Sequence, residues 1–247
     1  MPDVGTAEAL SAAGVSKRFG GLVAVENMSF TLAEKEVLGL IGPNGSGKTT
    51  VMNLISGALK PSSGEIKLYG DVITGIGASQ VAAKGVARTF QLVRMLPSMT
   101  VLENVAAGGA FGHARRWGPE LDDYAHALLA RVGLPNAAGA FVAALTYIDQ
   151  KRVELARALA SDPKVLLLDE WLAGLNPTEL KIGIALIEQL REEGCTIIIV
   201  EHVMHAIRSL CNRCIVMNSG AKIAEGTPAE VLADPGVIQA YLGVADA

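Results

Sequence analysis

Short, strand-sized apolar runs recur along the chain and alternate with stretches in which apolar positions return at helical spacing. This alternation predicts a layered α/β domain around a largely parallel sheet. Strands are expected around Glu36–Ile41, Glu65–Tyr69, Val86–Thr89, Val165–Asp169, Thr196–Glu201 and Arg213–Met217. Leu180, Ile184, Ile187 and Leu190 fall on one helical face after Pro177, a proline suited to a first turn, and the pattern stops at Gly194. From Val101 to Leu145 the chain is Ala-rich with few β-branched residues, which predicts helices interrupted by Gly108, Gly109, Gly112 and Gly118. Met1 to Ala13 reads as a frayed lead-in.

Composition narrows the classes. Of 247 residues half are hydrophobic, enough for a core, and 21 basic against 25 acidic residues give a formal charge of −4. A broad basic face for nucleic acid is therefore not expected. Mean hydropathy is positive, yet no apolar run is long enough to span a bilayer. Asp3 and Glu8 near the start and the lack of a basic-then-apolar pattern argue against a signal peptide, so a cytosolic location is expected. Cys211-x-x-Cys214 can be read as a redox pair or half a zinc site. The missing second ligand pair and the apolar run from Cys214 to Met217 favour small buried hydrophobes. Arg115-Arg116 and Asp122-Asp123 read as solvated surface, because adjacent helical residues point apart.

The strongest motif is Gly42-Pro43-Asn44-Gly45-Ser46-Gly47-Lys48-Thr49, a G-x-x-x-x-G-K-[ST] phosphate loop between an expected strand and a helix from Thr50 to Ile55. Its glycines let successive N–H groups face one anion, the helix dipole adds positive potential, and Lys48 adds a charge. Thr49 is the expected Mg²⁺ ligand. Asp169, ending the run Val165 to Leu168, would hold the metal through water. Glu170 follows at the strand's C-terminal edge, placed to polarise an attacking water as general base.

With these motifs in this order, the chain from about Leu10 onward resembles ABC ATPases. The resemblance implies a single nucleotide-binding domain over 1–247: a P-loop NTPase of mixed sheet, an N-terminal antiparallel β part, and a helical subdomain at roughly 95–160 inserted in a RecA-like core. Lys17-Arg18-Phe19-Gly20 is similar to the loop whose aromatic stacks on adenine, with Ala24 beside it; the plainer reading of Phe19 is a core aromatic. Thr50 completes the nucleotide-binding set. Arg88-Thr89-Phe90-Gln91 resembles the Q-loop, whose glutamine reaches Mg²⁺ and water and senses a transmembrane partner. Ala173-Gly174-Leu175-Asn176-Pro177 resembles the D-loop, and His202 the switch histidine that contacts the γ-phosphate. An alternative reading pairs His202 with His205 as metal ligands, but no third ligand is near in sequence.

The runs Ala87–Gln91, Met99–Asn104, Gly174–Glu179 and Ala240–Gly243 are similar to the ATP-binding subunits of branched-chain amino acid importers. Urea and amide importers and a lipopolysaccharide-export ATPase carry similar runs. The resemblance implies ATP and Mg²⁺, a second ABC subunit, transmembrane permease subunits, a substrate-binding protein acting indirectly, and a place on the inner face of the cell membrane. Soluble ABC ATPases acting on DNA or ribosomes, or a nucleotide-dependent regulator, are competing classes; a single cassette without long insertions favours transport.

The signature segment, usually Leu-Ser-Gly-Gly-Gln or Leu-Ser-Tyr-Gly-Gln, is Leu145-Thr146-Tyr147-Ile148-Asp149 here, with a helix expected from Val153 to Ala160. In the family it caps ATP held by the opposite subunit. Ile148 is expected to resist positive φ and to fill space a phosphate needs. Asp149 would place an anion near the phosphates, a repulsion of roughly 1 kcal/mol in water at about 4 Å and about 4 at an effective dielectric near 20. Trp171 replaces the family's usual proline, Leu172 lies beside it, and Val203 stands where aspartate is common. The implied picture is an asymmetric pair in which a partner's signature completes this chain's own site.

Overall fold

A computed structural model describes residues 7–242. The chain runs through β1 (Glu8–Phe19), β2 (Leu22–Ala33), β3 (Val37–Ile41), α1 (Lys48–Ile55), β4 (Ser63–Leu68), β5 (Asp71–Val72), α2 (Ala78–Lys84) and β6 (Val86–Arg88). Next come α3 (Val101–Phe111), α4 (Pro119–Arg131), a 3-10 turn at Val142–Ala144, α5 (Tyr147–Ala160) and β7 (Val165–Asp169). The remainder is α6 (Pro177–Glu192), β8 (Ile197–Val200), α7 (Met204–Leu210), β9 (Arg213–Asn218), β10 (Ala221–Gly226), α8 (Pro228–Ala233) and α9 (Pro235–Leu242).

Six strands form one sheet in the order β10-β9-β3-β8-β7-β6, parallel except for the edge strand β10. Their near-continuous apolar runs follow from burial on both faces. Val37, Ile41, Leu166, Leu168, Ile197 and Ile199 join the apolar cluster that includes α5 and α6. Their alternates, Leu38, Leu40, Val165, Leu167, Ile198 and Val200, join the cluster with α1 and the second sheet. Side chains of period two thus divide between two cores.

The second sheet is antiparallel, in the order β2-β1-β4-β5. It corrects the expectation of a frayed lead-in: Glu8 to Ala13 pair with both β2 and β4, and Leu10 is 1% exposed. Residues 1–6 lie outside the described residues. Three further boundaries differ from expectation. Gly108 and Gly109 do not interrupt a helix but lie inside α3, where Gly108 lets the backbones meet: a Cβ there would stand 2.1 Å from the Arg157 carbonyl oxygen of α5. Gly112 and Gly118 do flank the ends of α3 and α4. Helix α1 begins at Lys48 and α5 at Tyr147, both earlier than expected. Helix α6 matches its periodicity, with Gly194 at φ +83° just past the Glu193 cap. Among the described residues no helix is long and apolar enough to cross a membrane.

Candidate nucleotide-binding site

Strands β3, β7 and β8 are parallel neighbours, so the segments leaving their C-terminal ends converge on one edge, where open α/β sheets place ligands. The loop after β3 leads into α1 through Gly47 at φ +103°, a conformation open chiefly to glycine, and a Cβ there would stand 2.4 Å from the Ala24 carbonyl oxygen. Helix α1 has no side-chain cap and no acidic residue in its first turn, so its leading N–H groups remain available to an anion. The Lys48 ammonium, 5% exposed as a residue, donates to the Gly42 and Pro43 carbonyls at 2.8 Å each. Burial lowers its pKa, while Glu170 and Asp169 pull it back up. The two carbonyl contacts hold the lysine in the loop.

A cavity of 560 Å³ opens here, lined by Phe19, Ala24, Asn44, Gly45, Ser46, Gly47, Lys48, Thr49, Thr50 and Glu170. Phe19 is 45% exposed and not a core aromatic; the Lys17 ammonium lies 5.1 Å from its ring centre. The cradle and uncapped helix fit a polyphosphate, and the exposed aromatic at its rim fits a base.

Glu170 is gripped from two loops. Gln91 Nε2 donates to its Oε2 at 2.6 Å, and His202 Nε2 lies 3.0 Å from Oε1. Its φ of +49° is left-handed, a conformation costing a non-glycine residue about 1–3 kcal/mol. Asp169 is engaged differently: Arg88 Nη2 donates to its Oδ2 at 2.6 Å, and Arg88 Nη1 also donates to Asn53 and Ser56. Residue spacing alone did not find Arg88, since its reach depends on β6 pairing in parallel with β7, Arg88 opposite Leu167. Glu201 was also missed. It is buried after β8, accepts the Leu172 N–H at 2.7 Å, and burial pushes its pKa up to about 7 against the pull of that bond and of Lys151. Ser219 joins the cavity wall as well.

None of Leu145, Thr146, Tyr147, Ile148 or Asp149 lines this cavity. Ile148 needs no positive φ and does not project outward: it sits in the first turn of α5 and is 7% exposed. The outward residue is Tyr147, whose ring lies against Gly174. Thr146 accepts the Asp149 N–H and donates its hydroxyl to Asp149 Oδ2 at 2.8 Å, while Arg152 pairs with Oδ1 at 3.0 Å. Trp171 is fully buried and Val203 caps α7 without a side-chain acceptor. Cys211 and Cys214 are buried free thiols against Gly39, and among the described residues no three His, Cys, Asp or Glu side chains gather as a metal centre.

The profile of the ABC transporter family matches residues 25–173, which includes the phosphate loop, the Gln91 loop and Glu170. This chain belongs to the ABC transporter family. A second profile, of the branched-chain amino acid ATP-binding cassette transporter, matches residues 221–247 of this cassette. The cassette is 42% identical to the high-affinity branched-chain amino acid transport ATP-binding protein LivG of Salmonella typhimurium, over 96% of this chain and 98% of the relative. It is 40% identical to the corresponding protein BraF of Pseudomonas aeruginosa at the same coverage. Among solved structures, an ABC transporter's ATP-binding cassette in its ADP conformation is 30% identical with a TM-score of 0.87, over 96% of this chain and 99% of that one. A dimeric cassette in a post-hydrolysis state with ADP and Pi is 26% identical with a TM-score of 0.79, over 89% and 98%.

Proposed function

We propose that this cassette binds and hydrolyses ATP to drive uptake of branched-chain amino acids through a membrane permease. The observation that carries the reading is the convergence of Gln91 and His202 on Glu170 at the rim of the phosphate-loop cavity. Backbone N–H groups of residues 44–49 and the Lys48 ammonium bind the phosphates; Phe19 stacks on the base beside Ala24. Glu170 accepts the proton of the attacking water, and His202 orients Glu170 and contacts the terminal phosphate. Thr49 and Gln91 offer hard oxygen donors for Mg²⁺, with Asp169, held by Arg88, behind them. When bound, Mg²⁺ neutralises charge shared by the β- and γ-phosphates.

Residues 1–247 act as one nucleotide-binding unit with the helical part at about 95–160. A groove of 350 Å³ lined by Phe90, Phe111, Glu154 and Arg157 lies between that part and the core, next to the Gln91 loop, and supports a permease segment docking there. A second cassette lends its signature to this chain's ATP, and Leu145 to Asp149 face the ATP of that second cassette. The cassette sits on the cytoplasmic side of the membrane, with a substrate-binding protein supplying the permease.

The amino acid assignment is supported by the C-terminal profile and by the relatives' names. It is tested by uptake of labelled leucine in cells lacking the gene. Wild type restores uptake and Lys48→Ala does not; uptake of urea in place of leucine contradicts the substrate and leaves the ATPase reading standing.

A further inference from the structure

Glu170 holds a left-handed backbone, and among the described residues its side chain bonds only to Gln91 and His202. A residue in that region persists where its surroundings over-determine it; here the Glu170 N–H donates to the Val200 carbonyl at 2.8 Å, its carbonyl accepts the Ala173 N–H at 3.0 Å, and the next two residues add side-chain anchors. The Trp171 ring is fully buried, and its Nε1–H donates to the Lys151 carbonyl of α5 at 3.2 Å. The Leu172 N–H donates to Glu201 Oε1 at 2.7 Å, and Glu201 is 1% exposed. Both side chains press on Gly183 of α6, where a Cβ would stand 2.7 Å from Leu172 and 3.2 Å from the Trp171 ring. The two residues after Glu170 are thus fixed to the helix that carries the signature, to α6, and to the residue preceding His202.

We propose that Trp171 and Glu201 are positioning residues that lock Glu170 in its left-handed conformation, aim its carboxylate into the phosphate-loop cavity, and tie that aim to helix α5. The proposal rests on the reading of Glu170 as the base. A proline at position 171, as the family resemblance supplies, offers no N–H to Lys151, so this anchor to α5 is particular to the tryptophan. Glu201 acts through an accepting oxygen, so glutamine retains its role and alanine does not. Small displacements of a base cost turnover and leave nucleotide affinity intact, because Glu170 is not among the groups that cradle the phosphates.

Steady-state hydrolysis is measured for the full-length chain together with the subunits that copurify from membranes, and Kd is read from a fluorescent ATP analogue. Trp171→Phe, which keeps a buried aromatic ring but loses the indole N–H, lowers kcat about tenfold with KM for ATP and Kd unchanged. Glu201→Ala does the same, and Glu201→Gln recovers most of the lost kcat. Glu170→Gln is the reference for the base itself. If Glu170→Gln is inactive while Trp171→Phe and Glu201→Ala turn over at the wild-type kcat, the positioning role is overturned and the base reading stands. If Glu170→Gln turns over normally, the base reading fails and the positioning role fails with it. Should Trp171→Phe melt early, the Glu201 pair decides: equal kcat in the alanine and glutamine variants overturns the proposal.

Discussion

Helix α1 starts behind Gly47 with no side-chain cap and no acidic residue in its first turn, whereas α5 starts behind Thr146 and carries Asp149 there. The same physics acts at both ends: uncompensated N–H groups and a positive dipole, favouring a nearby anion by about 0.3–1 kcal/mol when exposed and up to about 2 when partly buried. At α1 the lysine and glycines leave that potential for a ligand. At α5 the Thr146 hydroxyl and the Asp149 carboxylate already use it, and Arg152 balances the carboxylate. The helix end at the signature segment is therefore capped from within. The Ile148 side chain is turned inward and does not obstruct that end.

Three perturbations separate the two ends, and another probes Glu201 behind the site. Ile148→Ala opens a buried site and lowers unfolding free energy by about 2–5 kcal/mol. Denaturant melts check it, and a loss within about 0.5 kcal/mol returns Ile148 to the surface. Second is Glu201, which lies at neither helix end and carries a pH dependence of its own. Folding raises the Glu201 pKa from 4.5 to about 7, so the folded state binds more protons in that interval. Its stabilising contribution is complete below the unfolded value and is lost as pH rises through about 7, a change of about 3 kcal/mol. Glu201→Gln flattens this slope, and its melting temperature rises relative to wild type between about pH 5 and about pH 8. Third, Lys48→Ala removes a charge-assisted contact of about 1.5–3 kcal/mol and weakens ATP binding about 10- to 100-fold. Titration with the fluorescent analogue measures it. The smallest effect is Asp149→Ala, which removes a first-turn acid and an ion pair and costs about 0.5–1 kcal/mol in the same melts.

Legibility differed between the two sheets for a physical reason. The inner strands β3, β7 and β8 are apolar at nearly every position because both faces are covered, so they stand out in the sequence. β1 and β2 carry charged residues such as Lys17, Arg18 and Glu26 that are not buried, and their pairing shifts register four times, which hides the alternation. The phosphate loop is legible because its chemistry is local. Arg88 on Asp169 is not, since 81 residues separate them and only the parallel register of β6 and β7 joins them. The direction of Ile148 depends on where α5 begins, and the Thr146-x-x-Asp149 spacing carried that signal as a cap followed by a first-turn acid.

The asymmetry between α1 and α5 is tested most directly by the steady-state ATPase rate of the purified chain alone, of the chain with a second cassette that carries an intact signature, and of the Asp149→Gln variant alone. The predicted result is slow turnover by the chain alone, restored by that second cassette and raised in Asp149→Gln. Full turnover by the chain alone, matched by the mixture and by Asp149→Gln, would contradict it.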